Sequence, residues 1–293
     1  MPGQSGKTVI VTGANAGIGF ETALAFFEKG AHVVMACRDL KKAEEAIANI
    51  QQQGRAGSLE AAALDLADLV SVKQFAEQFI KTHQNLHILV NNAGVMIPPA
   101  SKTNDGFELQ FGVNFIGHFA LTGRLYPLLQ ATPGARVVTV SSMAYVRGTI
   151  DFDNLRSERD YDAMREYNQS KLADIMLALE LHRRIKAKQG GVLSIAAQPG
   201  ANKTELSRYM SESDYSAAVA HIGALMDPWQ GALPSLYAAT ADDVKGGDFY
   251  SPDADGGYRG YPARLELLPH ALDENVANKL WDLAERATGM VFP

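Results

Sequence analysis

The chain alternates short runs of apolar or β-branched residues with longer segments whose apolar positions recur at helical spacing. The strand-like runs are 8–11, 31–36, 59–64, 88–91, 136–141, 193–197 and 247–250. Between them the spacing predicts helices over 17–30, 40–53, 69–83, 107–129, 163–188 and 229–240. Pro127 predicts a kink or an early end in the fourth helix. Val9-Ile10-Val11 and Val33-Val34-Met35 lack polar alternation, which suits strands covered on both faces. Such strands pair in parallel through helical crossovers. The pattern therefore predicts an α/β, Rossmann-type, doubly wound, mainly parallel seven-stranded sheet with helices on both faces, formed as one unit over residues 1–293. The segments 146–162 and 202–228 depart from the pattern and adjoin strand ends, where these sheets place ligands; both are expected to be substrate loops.

Composition narrows the function classes. Hydrophobic residues make up 46% and charged residues 20%, as in a folded globular chain. Lys plus Arg is 27 and Asp plus Glu 33, a net charge of −6 that argues against a nucleic-acid partner. The basic run Arg183, Arg184, Lys186 and Lys188 falls at a helix C-terminus and reads as a solvated face that complements the macrodipole. Cys37 is the sole cysteine, so there is no intrachain disulfide, and no metal is expected. His83 and His87 are four apart, but Asn85-Leu86 interrupts the helix between them and a surface loop is the expectation. Phe111, Phe115 and Phe119 repeat every four residues and read as core or subunit interface. The first strand follows the N-terminus without an apolar signal core, and the longest apolar stretch, 216–226, falls short of the ~20 residues that span a bilayer. A cytoplasmic protein without a membrane span is expected.

The glycine-rich turn carries the first chemical signal. Thr12-Gly13-Ala14-Asn15-Ala16-Gly17-Ile18-Gly19 joins the first strand to the first helix, where bare backbone and a helix N-terminus suit a dinucleotide pyrophosphate. The second strand ends in Cys37-Arg38-Asp39. The Arg38 guanidinium suits a ribose 2′-phosphate, while Asp39 is either a ribose acceptor or the N-cap of the next helix. NADP(H) is favoured over NAD(H) on this basis. Tyr167 and Lys171 are four apart and share a helix face. A phenol titrates near 10, and a neighbouring ammonium favours its phenolate.

The ordered set Thr12-Gly13-x3-Gly17-x-Gly19, Asn91-Asn92-Ala93-Gly94, Asn114, Ser141-Ser142, Tyr167-x3-Lys171 and Pro199-Gly200 resembles the short-chain dehydrogenase/reductase family over about residues 7–250. The Ala-Cys-Arg-Asp strand end and the long gap before Tyr167 resemble its retinol-dehydrogenase and WW-domain-oxidoreductase branch. The resemblance implies a catalytic set of Asn114, Ser142, Tyr167 and Lys171. Ser142 would bind the substrate carbonyl and Ser141 would be structural; Asn114 would hold a water beside Lys171, or else be a buried, satisfied amide. It implies cofactor contacts from Gly13, Asn15, Gly17, Ile18, Gly19, Arg38, Asn92, Ala93, Gly94, Tyr167, Lys171, Pro199, Gly200 and Thr204, and from Asp65-Leu66 at the adenine, although Asp65 could instead cap a helix. The implied reaction is hydride transfer between NADP(H) and an apolar aldehyde, ketone or alcohol, with Tyr167 as general acid/base. The alternative is an NADP(H)-binding regulatory module with little turnover. The interval from Ser142 to Tyr167 is 25 residues, about twice the family's usual spacing, and 146–162 is expected to wall the substrate pocket. Family members pair through the helices carrying Asn114 and Tyr167, so a homodimer or homotetramer is expected.

Overall fold

The computed structural model describes residues 1–54 and 56–293. Among them, eight strands form one sheet: β1 (Thr8–Thr12), β2 (His32–Cys37), β3 (Ser58–Ala63), β4 (Ile88–Asn91), β5 (Arg136–Val140), β6 (Leu193–Ala197), β7 (Phe249–Ala254) and β8 (Arg259–Arg264). They are ordered β3-β2-β1-β4-β5-β6-β7-β8. All neighbours are parallel except β7 and β8. The helices are α1 (Gly17–Glu28), α2 (Leu40–Gln52), α3 (Leu69–Thr82), α4 (His118–Ala131), α5 (Ala163–Ala187), α6 (Glu212–Ile222), α7 (Pro228–Thr240) and α8 (Glu274–Thr288).

Side chains that alternate along each strand feed two cores. Ile10, Val34, Leu89 and Val137 pack with residues of α3, α4, α5 and α8. Val9, Val33, Ile88 and Val138 pack on the other face with α1, α2 and α7. This double coverage is why the central strands carry uninterrupted apolar runs. The strand order reverses beside β1, and the crevice beyond the C-terminal ends of β1 and β4 receives both the glycine turn and Asn92–Gly94.

Several features depart from the sequence expectation, among them α8, a helix in a stretch where none was expected. The sheet has an eighth strand, Arg-Gly-Tyr-Pro-Ala-Arg, that the hydrophobic pattern did not mark. As an antiparallel edge strand it has one free side, so Pro262 and two arginines are tolerated where a central strand would reject them. The fourth helical segment opens with a widened π-type turn over Phe111–Gly117, and Pro127 sits inside α4 without ending it. The region 202–228 contains α6 and a short turn at Glu205–Ser207.

The C-terminal segment closes one side of the molecule. Trp281 of α8 meets Phe119 edge-on at 4.8 Å, and Phe292 meets Phe119 at 5.0 Å. Phe111, Phe115 and Phe119 are thereby core residues of this chain. The basic run is only partly a solvated face, because Arg183 and Arg184 both bind the buried Glu180 carboxylate and Arg184 lies 4.7 Å over the Trp281 ring. Since α8 packs on α5, pairing of two copies through that part of α5 would require α8 to move. No helix of the described residues is long and apolar enough to cross a membrane.

Candidate active site

A cavity of about 530 Å³ opens where the strand order reverses. Ile18, Asn92, Gly94, Ser142, Tyr167, Lys171, Pro199, Gly200 and Thr204 all line it, from five different stretches of the chain. A more open groove of about 670 Å³ runs between α3, α4 and the C-terminus, and none of these residues lines it.

The glycine turn is shaped by close approaches. Gly13 adopts a positive φ of 64°, and a Cβ there would press on Ala93. A Cβ on Gly19 would collide with the Gly13 carbonyl and the Asn92 amide. The N-terminus of α1 is preceded by Ala16 and has no side-chain cap, which leaves its first N–H groups free for an anion. Cys37 is buried beneath the turn, where burial pushes its thiol up to about 11; it is inert packing. Asp39 accepts from the Lys42 N–H and so serves as the N-cap of α2, while Arg38 beside it is exposed. Asp65 accepts from the Ala67 N–H in a local turn, and Asp68 caps α3 instead, so the capping alternative for Asp65 fails. Leu66 is buried, and its carbonyl lies against Gly117 closely enough to bar any side chain there.

A hydrogen-bond chain that no local motif reveals locks this turn in place. Thr12 Oγ1 accepts from the Asn92 and Ala93 N–H groups, each at 2.9 Å. It lies 2.9 Å from His118 Nε2, and His118 Nδ1 lies 2.7 Å from the Asn114 carbonyl. A carbonyl only accepts, so Nδ1 carries the proton and Nε2 receives the Thr12 hydroxyl. The His118 N–H goes to the Phe115 carbonyl rather than to that of Asn114, its partner in an ordinary α-helical turn, and the Asn114 carbonyl takes the ring. Burial pushes His118 down to about 4, so the ring stays neutral and its tautomer fixed.

Asn114 itself is buried. Its side chain bonds both Val95 backbone groups and the Ser170 hydroxyl, which is the satisfied-amide arrangement. Ser141 turns inward and donates to the Lys171 carbonyl at 2.6 Å, whereas Ser142 lies on the cavity and caps the turn at Met143–Arg147. The Lys171 ammonium stands 5.9 Å from the Tyr167 ring centre and bonds the Val140 carbonyl at 3.1 Å and Asp174 at 2.8 Å. Burial pushes the Asp174 carboxyl up to about 7, against the pull of the ammonium. Burial also works to lower Lys171, but the Asp174 charge overrides it and the net shift is upward. In this buried pair the Asp174 carboxylate keeps Lys171 charged. Sequence reasoning missed Thr12 Oγ1, His118 and Asp174. The only available signal was Asp174 at i+3 from Lys171 on the same helix face.

Of the two expected substrate loops, 202–228 lies over the cavity, with Leu206, Met210, Tyr215, Ile222 and Leu225 facing it. The other contributes only Val146 and Arg147. The remainder of 146–162 docks on neighbouring elements, through Asp151 N–H to Gln169, Tyr161 hydroxyl to the Pro98 carbonyl, and Arg156 to the Asp105 carbonyl. The long interval before Tyr167 is thus mainly a buttress.

The comparisons with known proteins agree with this geometry. A family model described as short chain dehydrogenase matches residues 7–214. Human retinol dehydrogenase 13 is 41% identical over 294 aligned residues, covering 98% of this chain and 86% of that protein. An uncharacterized protein from Mycobacterium paratuberculosis has a solved structure with a TM-score of 0.83 and 37% identity, covering 100% of this chain and 97% of that one. A Beutenbergia cavernae protein described as an NAD(P) dependent gluconate 5-dehydrogenase, solved with bound NADP, superimposes with a TM-score of 0.68 at 26% identity, covering 87% of this chain and 98% of that one. The glycine turn, the Tyr–Lys pair on one cavity and these matches lead to one conclusion: the chain belongs to the short-chain dehydrogenase/reductase family and is an oxidoreductase of retinol-dehydrogenase-like sequence.

Proposed function

We propose that the protein interconverts an apolar aldehyde or ketone and its alcohol with NADP(H), using Tyr167 as the general acid/base. The observation that carries this reading is the convergence of the Tyr167 phenol and the Ser142 hydroxyl on one cavity that Ile18, at the uncapped start of α1, also lines. The cradle fits a dinucleotide: side chains are barred at Gly13 and Gly19, and Gly94 leaves open the approach to Lys171. The pyrophosphate would lie at Gly13–Gly19, the 2′-phosphate at Arg38, and the nicotinamide end near Asn92–Gly94, Pro199–Gly200 and Thr204. When bound, the nicotinamide supplies or accepts the hydride. Ser142 hydrogen-bonds the substrate oxygen and Tyr167 exchanges its proton with that oxygen. Lys171, held charged by Asp174, places positive charge near the phenol. The lining of 202–228 is mostly apolar, which favours an apolar substrate.

Fluorescence titration with NADPH and NADH, followed by an aldehyde and ketone panel, tests the proposal. NADPH is expected to bind more tightly than NADH and to be oxidised by carbonyl substrates. Binding without turnover across the panel would leave a nucleotide-binding module instead. Arg38→Ala is expected to weaken NADPH by roughly 10-fold and NADH by much less, because it removes one charged partner of the extra phosphate. Equal losses for both would show that Arg38 does not read the 2′-phosphate.

A further inference from the structure

At the opposite end of the sheet from the cavity, three side chains distant in sequence converge. His32 opens β2, Glu60 lies on the neighbouring edge strand β3, and His83 follows α3. His32 Nε2 and His83 Nε2 are 3.2 Å apart; Glu60 Oε2 lies 3.5 Å from the first and 3.4 Å from the second. A tetrahedral ion about 2.05 Å from each donor sets its ligand atoms about 3.3 Å apart and two imidazole centres about 5.2 Å apart. The two imidazole centres here are 5.3 Å apart.

The protons around the cluster point the same way. His83 Nδ1 lies 3.2 Å from the Phe79 carbonyl, which can only accept, so Nδ1 bears the hydrogen and Nε2 a lone pair. The Thr82 hydroxyl donates to the Gln78 carbonyl and is thereby free to accept from the same Nδ1. His32 Nδ1 lies 2.7 Å from the Ser58 hydroxyl, which accepts its hydrogen in the matching tautomer. In these tautomers both Nε2 atoms and the carboxylate oxygen are acceptors, gathered within 3.5 Å of one another with no donor between them. Such outer hydrogen bonds orient imidazoles for metals. Phe79, 4.2 Å from the His83 ring and 7° from parallel with it, fixes that ring further. His87, four residues on, plays no part; its Nδ1 accepts the Thr8 N–H. No other trio of His, Cys, Asp or Glu among the described residues is so arranged.

We propose that His32, Glu60 and His83 form a binding site for a zinc-class divalent cation, with a fourth position open to solvent. Two imidazoles and one carboxylate suit a borderline metal such as Zn²⁺ rather than Mg²⁺ or Ca²⁺. The ion ties the edge strand β3 to β2 and to the end of α3. The open fourth position makes it exchangeable, and its distance from the cavity separates it from hydride transfer.

Chelator-treated full-length protein titrated with Co²⁺, and then with Zn²⁺, tests the site. One equivalent of Co²⁺ is expected to give the visible absorption of a four-coordinate ion, which Zn²⁺ then displaces. Zn²⁺ is expected to raise the melting temperature. His83→Asn and His32→Asn should each weaken uptake by at least roughly 100-fold, and Glu60→Gln by roughly 10-fold. NADPH titration of every variant serves as the folding control and is expected to match the wild type with or without metal. Absence of uptake by the wild type below millimolar metal would overturn the proposal, with a shared proton then joining the three groups. Undiminished uptake by both histidine variants would overturn it equally.

Discussion

The two walls of the cavity are built in opposite ways. On the cofactor side, the glycine turn, Asn92–Gly94 and the Asn114–His118 segment are bound into one buried hydrogen-bond chain through Thr12. On the substrate side, α6 buries none of its residues. That wall is held through few points, including two bonds from Arg259 to the Ile222 and Ala224 carbonyls and a bridge from Asn202 to Met226. A dinucleotide presents the same shape at every turnover, so a fixed cradle loses nothing by rigidity. A wall with few buried contacts opens at low free-energy cost and admits ligands of differing shape.

Changes on the tightly bonded side should therefore be severe and changes on the sparsely packed side mild. The largest effect is expected where the two walls meet. Tyr167→Phe should lower turnover by roughly 100- to 10,000-fold while leaving NADPH affinity within about twofold, since it removes a proton donor and little surface. Near-normal reduction by this variant would sink the mechanism. Gly19→Ala places a methyl against the Gly13 carbonyl and the Asn92 amide, which is held by its bond to the Thr12 carbonyl. A loss of about 1–3 kcal/mol in stability and at least roughly tenfold in NADPH affinity is expected from chemical denaturation and titration. A neutral result would show that the cradle yields.

The His118 link supplies a pH test. Its folded value of about 4 lies below the unfolded 6.5, so between those values the unfolded chain binds the extra proton and stability falls as pH falls. Asp174 and Glu108, each raised by burial to about 7, act in the opposite direction and must be subtracted. Comparing wild type with His118→Asn does this. Between pH 7.5 and pH 5, the wild type should lose about 2 kcal/mol more than the variant. Parallel pH profiles would mean that the ring is not held neutral. The smallest stability effect is expected on the outer wall. Tyr215→Ala should change stability by less than about 0.5 kcal/mol yet alter KM, and limited proteolysis of the wild type should cut first within 202–228. Cleavage first in the glycine turn would reverse the comparison.

Much of the site is legible in the amino-acid sequence, for reasons specific to each residue. Gly13 and Gly19 announce themselves because a side chain there would meet neighbouring backbone, Gly17 because of its positive φ, and Tyr167 with Lys171 because helical spacing alone puts them on one face. The same reasoning does not reach β8, whose polar, proline-containing sequence is acceptable only because it ends up at an edge. It overestimates 146–162 as a pocket wall, since an irregular sequence does not say which face it docks on. It sees His83 only beside His87, while its partners His32 and Glu60 stand 51 and 23 residues earlier.

Local patterning along the chain is enough to set the βαβ order, the parallel sheet and the positions of the phosphate turn and the Tyr–Lys pair, because periodicity, glycine geometry and i,i+4 spacing act within a few residues. The neutral His118, the buried Lys171–Asp174 pair, the burial of the Phe111–Phe119 row beneath α8, and the His32–Glu60–His83 cluster come from the tertiary fold alone. Most of these arise where segments distant in the chain are pressed together, and even Lys171 and Asp174, one turn apart, owe their behaviour to burial. The titration and bonding of each group depend on neighbours, and on the loss of water, that only the completed fold supplies.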